Sequence, residues 1–171
     1  MDIVNFFEKL AGRWFSQRTT HYLGAQTSKA GQSELEVDFI SPDHASVTQL
    51  CEKAGADAAK AICGLTIAQK STIEGNATQR ISTTLIVLIA DESDLSGHIL
   101  RSAESPLRST YQFDNDILTL TTEDGSVHAQ ERWWFITDNL RMRTQTVKPT
   151  DGPELASFCS EIRLGGPKPA A

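Results

Sequence analysis

The stretch Asp2-Ile3-Val4-Asn5-Phe6-Phe7-Glu8-Lys9-Leu10-Ala11-Gly12-Arg13-Trp14-Phe15-Ser16-Gln17-Arg18-Thr19-Thr20-His21 changes its period once, at Gly12. Before that glycine, Ile3, Phe6, Phe7 and Leu10 recur at helical spacing as one apolar stripe, so residues 2–11 are expected to form a short amphipathic helix. Asp2 suits the N-cap, because its carboxylate can accept from the free N–H groups of the first turn, and Gly12 suits the stop. From Arg13 the period becomes two. Trp14, Ser16, Arg18, Thr20 and Tyr22 share one face of a strand, and Phe15, Gln17, Thr19 and His21 share the other. Both faces carry polar groups, so this strand is more than a wall of core.

Working outward, residues 33–40 alternate Leu35, Val37 and Phe39 with Glu34, Glu36 and Asp38, a second strand. Ser41-Pro42-Asp43 then opens a helical insertion running to about Lys53, with Pro42 in its first turn and Gly55 ending it; a further helical turn fits 57–61. Strands are expected near 63–69, 82–90, 97–103, 107–113, 116–122, 126–136, 139–148 and 156–164. Turn-forming runs such as Glu74-Gly75-Asn76, Asp114-Asn115-Asp116, Asp124-Gly125 and Asp138-Asn139 separate them. The fold class is therefore mainly β: about ten antiparallel strands in a meander closed into a barrel, with an N-terminal helix and a short helical insertion after the second strand. Residues 1–164 are expected to form a single domain, and 165–171 a flexible tail.

With 171 residues, 39% hydrophobic and 22% charged, the chain has the size and balance of one globular domain. The net charge of -6 argues against nucleic acid as a partner. No apolar run is long enough to insert in a membrane, and the first residues lack the basic start and apolar run of a signal peptide, so a cytoplasmic location is expected. Cys51, Cys63 and Cys159 are odd in number and lack metal-ligand spacing, so neither a disulfide framework nor a metal site is expected. Cys159, in a polar segment, is the best placed of the three for thiol chemistry.

A short helix followed by Gly12-Arg13-Trp14 at the head of a first strand resembles the start of a lipocalin. There the tryptophan plugs the closed end of the barrel under an arginine of the last strand, a place that Arg163 would take. Longer stretches resemble the S-type phycobiliprotein lyases, the CpcS/CpeS family. They are Gly12 to His21 as quoted above, Leu50-Cys51-Glu52, Cys63-Gly64, Glu131-Arg132-Trp133-Trp134-Phe135, Asn139-Leu140-Arg141-Met142-Arg143-Thr144 and Ala156-Ser157-Phe158-Cys159-Ser160-Glu161-Ile162-Arg163, in the family's order. The resemblance implies a lipocalin-like barrel and an enzyme that binds a free phycobilin. It would promote addition of a cysteine thiol of an apo-phycobiliprotein subunit across the ethylidene group of the bilin A-ring. The bilin, phycocyanobilin or phycoerythrobilin, is then a substrate, and no permanently bound cofactor is implied. Many relatives carry tryptophans in the hairpin after Cys63-Gly64; the segment 68–75 here has none.

A bilin presents two propionates and a row of pyrrole N–H groups on an apolar chain. Its host needs a concavity of roughly 300–1,000 Å³ with a few aimed polar groups. Guanidinium forks pair carboxylates bidentately, which makes Arg141 and Arg143, two apart on one strand, the expected propionate clamp. Glu131 is the expected carboxylate facing the pyrrole nitrogens and a candidate general acid, which would favour the more electrophilic protonated bilin. Arg18 adds charge on the face of Trp14, Trp133 is a candidate pocket wall, and His21 is a candidate proton-transfer group near the rim. Residue statistics favour the opposite arrangement, with Leu140 and Met142 inside and both arginines in water. Arginines facing inward would leave an apolar outer face, which a homodimer would explain. Two other readings stay open: a non-catalytic carrier of a bilin or similar ligand, and an assembly factor that needs a second lyase subunit.

Overall fold

The computed structural model describes residues 1–165. Helix α1 (Ile3–Leu10) precedes strands β1 (Gly12–Tyr22) and β2 (Thr27–Ile40); helix α2 (Ala45–Lys53) and a 3-10 turn (Ala58–Lys60) follow. The rest is β3 (Ala61–Ile73), β4 (Asn76–Ala90), β5 (Ser96–Arg101), β6 (Leu107–Asp114), β7 (Ile117–Asp124), β8 (Val127–Thr137), β9 (Leu140–Pro149) and β10 (Leu155–Leu164). Each strand pairs with its neighbours in sequence, and β10 closes on β1, so ten antiparallel strands form a closed barrel. The barrel class and both helical elements are as expected. Beyond Gly165, the tail expected over 165–171 lies outside the described residues.

The helix α1 starts where Asp2 accepts a hydrogen bond from the Asn5 N–H at 2.8 Å. Its stripe of Ile3, Phe6, Phe7 and Leu10 is fully buried against Trp14, Leu65, Phe113 and Leu118 inside one end of the barrel. Helix α2 packs on the outside. Val47, Leu50 and Cys51 cover Val87, Ile89 and Leu100, the outward residues of β4 and β5, forming a second small core. Both faces of those two strands are thus apolar, which is why Leu85-Ile86-Val87-Leu88-Ile89-Ala90 reads as a continuous apolar run.

Two expectations need correction. Pro42 lies in the turn before α2 rather than in its first turn, since His44 is the N-cap, its Nδ1 accepting from the Ser46 N–H. Strands β2, β3 and β4 also reach well past their expected ends. Their far halves carry Thr, Ser, Gln and Lys on both faces, so no apolar alternation marks them, and cross-strand pairing alone keeps Gly31–Ile73 and Ser71–Arg80 in register. Among the described residues no helix is long and apolar enough to cross a membrane.

Candidate functional site in the barrel interior

Residues directly opposite each other on antiparallel strands share a face. Trp14 stands opposite Arg163, Glu161 opposite Arg141, and Arg141 opposite Phe135. In the next rows toward the mouth, Cys159 pairs with Arg143 and Arg143 with Trp133, while Gln145 pairs with Glu131. All of these face inward with Trp14. Both arginines of the segment 140–144 therefore point into the barrel, with Leu140 and Met142 outside, against the arrangement residue statistics favour.

At the closed end the Trp14 indole N–H donates to the Leu10 carbonyl at 2.9 Å. The Arg163 guanidinium lies 4.1 Å from the centre of the same ring. It donates to the carbonyls of Ala11 at 2.6 Å, Lys9 at 2.8 Å and Asp138 at 3.1 Å. Arg163 thus satisfies carbonyls that the end of α1 leaves free while stacking on the tryptophan. Gly12 makes room: its φ is +123°, and a Cβ there would stand 2.6 Å from Arg163 Nη1.

Arg141 belongs largely to this plug. Its guanidinium lies 4.2 Å from the Trp14 ring centre, Nη1 donates to the Leu10 carbonyl at 3.2 Å, and Nε donates to Glu161. Burial lowers its pKa to about 10 in spite of Glu161. Arg143 is less committed. It is half-buried, with Nη2 3.4 Å from Glu161 Oε1 and 4.0 Å from the Cys159 sulfur. Burial works against its charge, but Glu161, Cys159 and Glu131 together outweigh it and raise the Arg143 pKa. For Glu161 burial pushes the carboxyl up, while Arg143 and Arg141 overcome it and hold the group below the usual carboxylate range. One carboxylate serves two guanidiniums, which leaves a net positive charge in the wall.

Nearer the mouth, Glu131 is buried and held at both oxygens. Oε2 accepts from Trp133 Nε1 at 3.1 Å, and Oε1 accepts from Gln145 Nε2 at 3.5 Å and lies 2.9 Å from Arg101 Nη2. Trp133 is buried between Arg143 and Arg101, whose guanidiniums lie 5.6 Å and 6.0 Å from its ring centre. Arg18 faces the same interior and lies across Gly31, its Nη2 3.7 Å from where a Cβ would stand. Trp133, Arg101 and Arg143 border a cavity of about 140 Å³ whose lining also includes Leu35, Ile67 and Gln69. That is smaller than the expected range, because α1, Phe135 and the arginines fill its floor. Glu131 stands behind that lining, in contact with Trp133 and Arg101.

The fold thus brings together Glu131, Trp133, Arg141 and Arg143 of the residues singled out from sequence, with Arg18 nearby. It does not bring in His21. That side chain is exposed on the outer face of β1, opposite Ser28 and Ala156, as its odd spacing from Trp14 requires. Glu161 and Arg101 escaped the sequence reading. For Glu161 a signal existed: it stands two residues before Arg163, hence on the same face. Arg101 ends a strand of six residues, and nothing local marks it as inward. Cys159 is buried and inward, and all three cysteines are free. Burial pushes the Cys63 thiol up to about 12.

Comparison with known proteins places this barrel. A family model described as "CpeS-like protein" matches residues 2–164. The chain is 39% identical to "Chromophore lyase CpcS/CpeS" of Thermosynechococcus vestitus, covering 99% of this chain and 97% of that protein. It is 32% identical to "Phycocyanobilin lyase subunit CpcS" of a Picosynechococcus species, covering 95% and 86%. Among solved structures, the S-type phycobiliprotein lyase CPES from Guillardia theta superposes with a TM-score of 0.87 at 25% identity, covering 97% of this chain and 94% of that one.

Proposed function

This chain belongs to the CpeS-like family of chromophore lyases, and from that premise we propose that it seats a free phycobilin in the barrel mouth and promotes its thioether attachment to a cysteine of a phycobiliprotein subunit. One observation carries the reading. An apolar barrel buries a carboxylate, Glu131, beside an incompletely neutralised guanidinium, Arg143, at the open side of a plug built from Trp14, Arg141 and Arg163. Arg143 pairs a propionate, and Glu131 accepts hydrogen bonds from pyrrole N–H groups and stabilises the protonated bilin. Arg141 is a positioning residue in this scheme, because its donors already hold Glu161 and the end of α1. His21, outside the cavity, has no part in it.

A cavity of about 140 Å³ takes only part of a four-ring chain. The remaining rings extend from the mouth, where the subunit's thiol can reach the A-ring. There the thiol adds across the ethylidene double bond: its π bond breaks, the sulfur bonds to the exocyclic carbon, and the proton lost by the thiol is balanced by one gained at the adjacent A-ring carbon, with no net redox change. Residues 1–164 act as one unit, matched nearly end to end by the family model, and we assign the protein to the cytoplasm. The outer face of β10, with Phe158 and Ile162 45% and 53% exposed, is the surface we assign to a homodimer or to the subunit.

The test is transfer. The purified chain, phycocyanobilin or phycoerythrobilin and an apo-subunit should yield a fluorescent adduct that survives denaturation and disappears when the acceptor cysteine is replaced by serine. Tight bilin binding with no adduct on any subunit would make the protein a carrier. Adduct formed only after addition of a second lyase chain would make it a subunit of a mixed enzyme.

A further inference from the structure

Resting on that reading of the cavity, we propose that Arg101 is its second carboxylate-binding group and exchanges Glu131 for one propionate of the incoming bilin. Arg101 closes β5 and faces the cavity together with Ile86, its cross-strand partner. Its Nε and Nη2 are buried and make no hydrogen bond, although Nη2 lies 2.9 Å from Glu131 Oε1. Those two nitrogens form one side of the guanidinium fork, the edge that receives a carboxylate through two parallel bonds. An ion pair without a hydrogen bond leaves that edge unsatisfied, and a buried unsatisfied donor costs free energy that a better-placed oxyanion would recover.

The contrast with Arg141 is chemical. Every contact that holds Arg141 fixes it to the closed end, whereas Arg101 has one charged partner, Glu131, and an open fork. Arg101 and Arg143 both lie within 6.0 Å of the Trp133 ring centre, so their guanidinium carbons are at most twice that distance apart. The two propionates of a bilin sit on its neighbouring central pyrroles, and one at each arginine would lay those rings beside Trp133. Glu131 tolerates the exchange, since Trp133 and Gln145 still hold it. Its Oε1, released by Arg101 while Gln145 stays in place, has a second lone pair left to accept from a pyrrole N–H.

Binding of phycocyanobilin and of its dimethyl ester, followed by absorbance titration, tests this in the wild type, Arg101→Met and Arg101→Lys. The wild type should bind the acid more tightly than the ester. Arg101→Met should weaken the acid about ten- to hundredfold, in the range expected for a charge-assisted hydrogen bond, and leave the ester nearly unchanged. Arg101→Lys, which keeps the charge but not the fork, should give an intermediate loss, again confined to the acid. Equal losses for acid and ester in both variants would make Arg101 a structural partner of Glu131 and overturn the proposal. So would a wild type indifferent to esterification. A wild type that binds neither compound would overturn the bilin reading itself.

Discussion

Arg141 and Arg143 stand two residues apart on β9, face the same interior and share the carboxylate of Glu161, yet Arg141 spends Nε on Glu161 and Nη1 on the end of α1, whereas Arg143 commits only Nη2. The pair divides the labour of the site: one arginine holds the floor in place and the other meets the ligand.

Arg141→Ala should therefore behave as a folding mutation. It leaves Glu161 in a buried site with one partner fewer, and breaking such a pair costs about 3–5 kcal/mol. Arg143→Ala should lower stability much less while weakening bilin binding at least tenfold. Thermal melts and bilin titrations of the two variants check the split, which equal behaviour in both measurements would contradict.

Glu161 ties stability to acid pH. Its carboxyl is held below the usual range in the folded chain, so the unfolded chain takes up a proton first as pH falls. The contribution is complete above the ordinary glutamate value of about 4.3 and is lost as pH drops through the lowered folded value. Glu161→Gln should flatten that part of the profile, measured as denaturant midpoints between about pH 3 and 6. An unchanged slope would refute the coupling.

The plug can be tested at Gly12. An alanine there must adopt a φ of +123° and would place its Cβ 2.6 Å from an Arg163 nitrogen anchored by carbonyls of α1. Gly12→Ala should cost about 1–3 kcal/mol and loosen Trp14, seen as a lower melting temperature and a changed near-UV spectrum of the tryptophans.

At the mouth, Gly31→Val should displace Arg18, which lies across the glycine, without touching the floor. Bilin affinity should fall, with the melting temperature shifting by no more than a few degrees. An unchanged affinity would remove Arg18 from the site.

The barrel was legible in sequence because its lower half obeys simple periods. The stripe Ile3, Phe6, Phe7, Leu10 and the alternation from Trp14 and from Leu35 all bury one face. The upper hairpins were not legible, since their strands are polar on both faces and only register marks them. Of the site, the facing of Arg141 and Arg143 was undecidable locally: inward arginines and inward Leu140 and Met142 obey the same period. What settles it is Glu161 on the adjacent strand, a contact 20 residues away in sequence. Arg101 was missed for the same reason, its meaning lying in Glu131 on a strand three removed from its own. His21 looked functional by type, and parity alone removed it.

The central claim is that the bilin enters the barrel rather than resting on its outer face, and a crystal structure of the protein with phycocyanobilin bound tests it most directly. The account predicts central pyrroles beside Trp133, their nitrogens toward Glu131, one propionate at Arg143, and the A-ring exposed at the mouth. A bilin seated on the outer face of β9 and β10, or with its A-ring buried against Trp14, would contradict it.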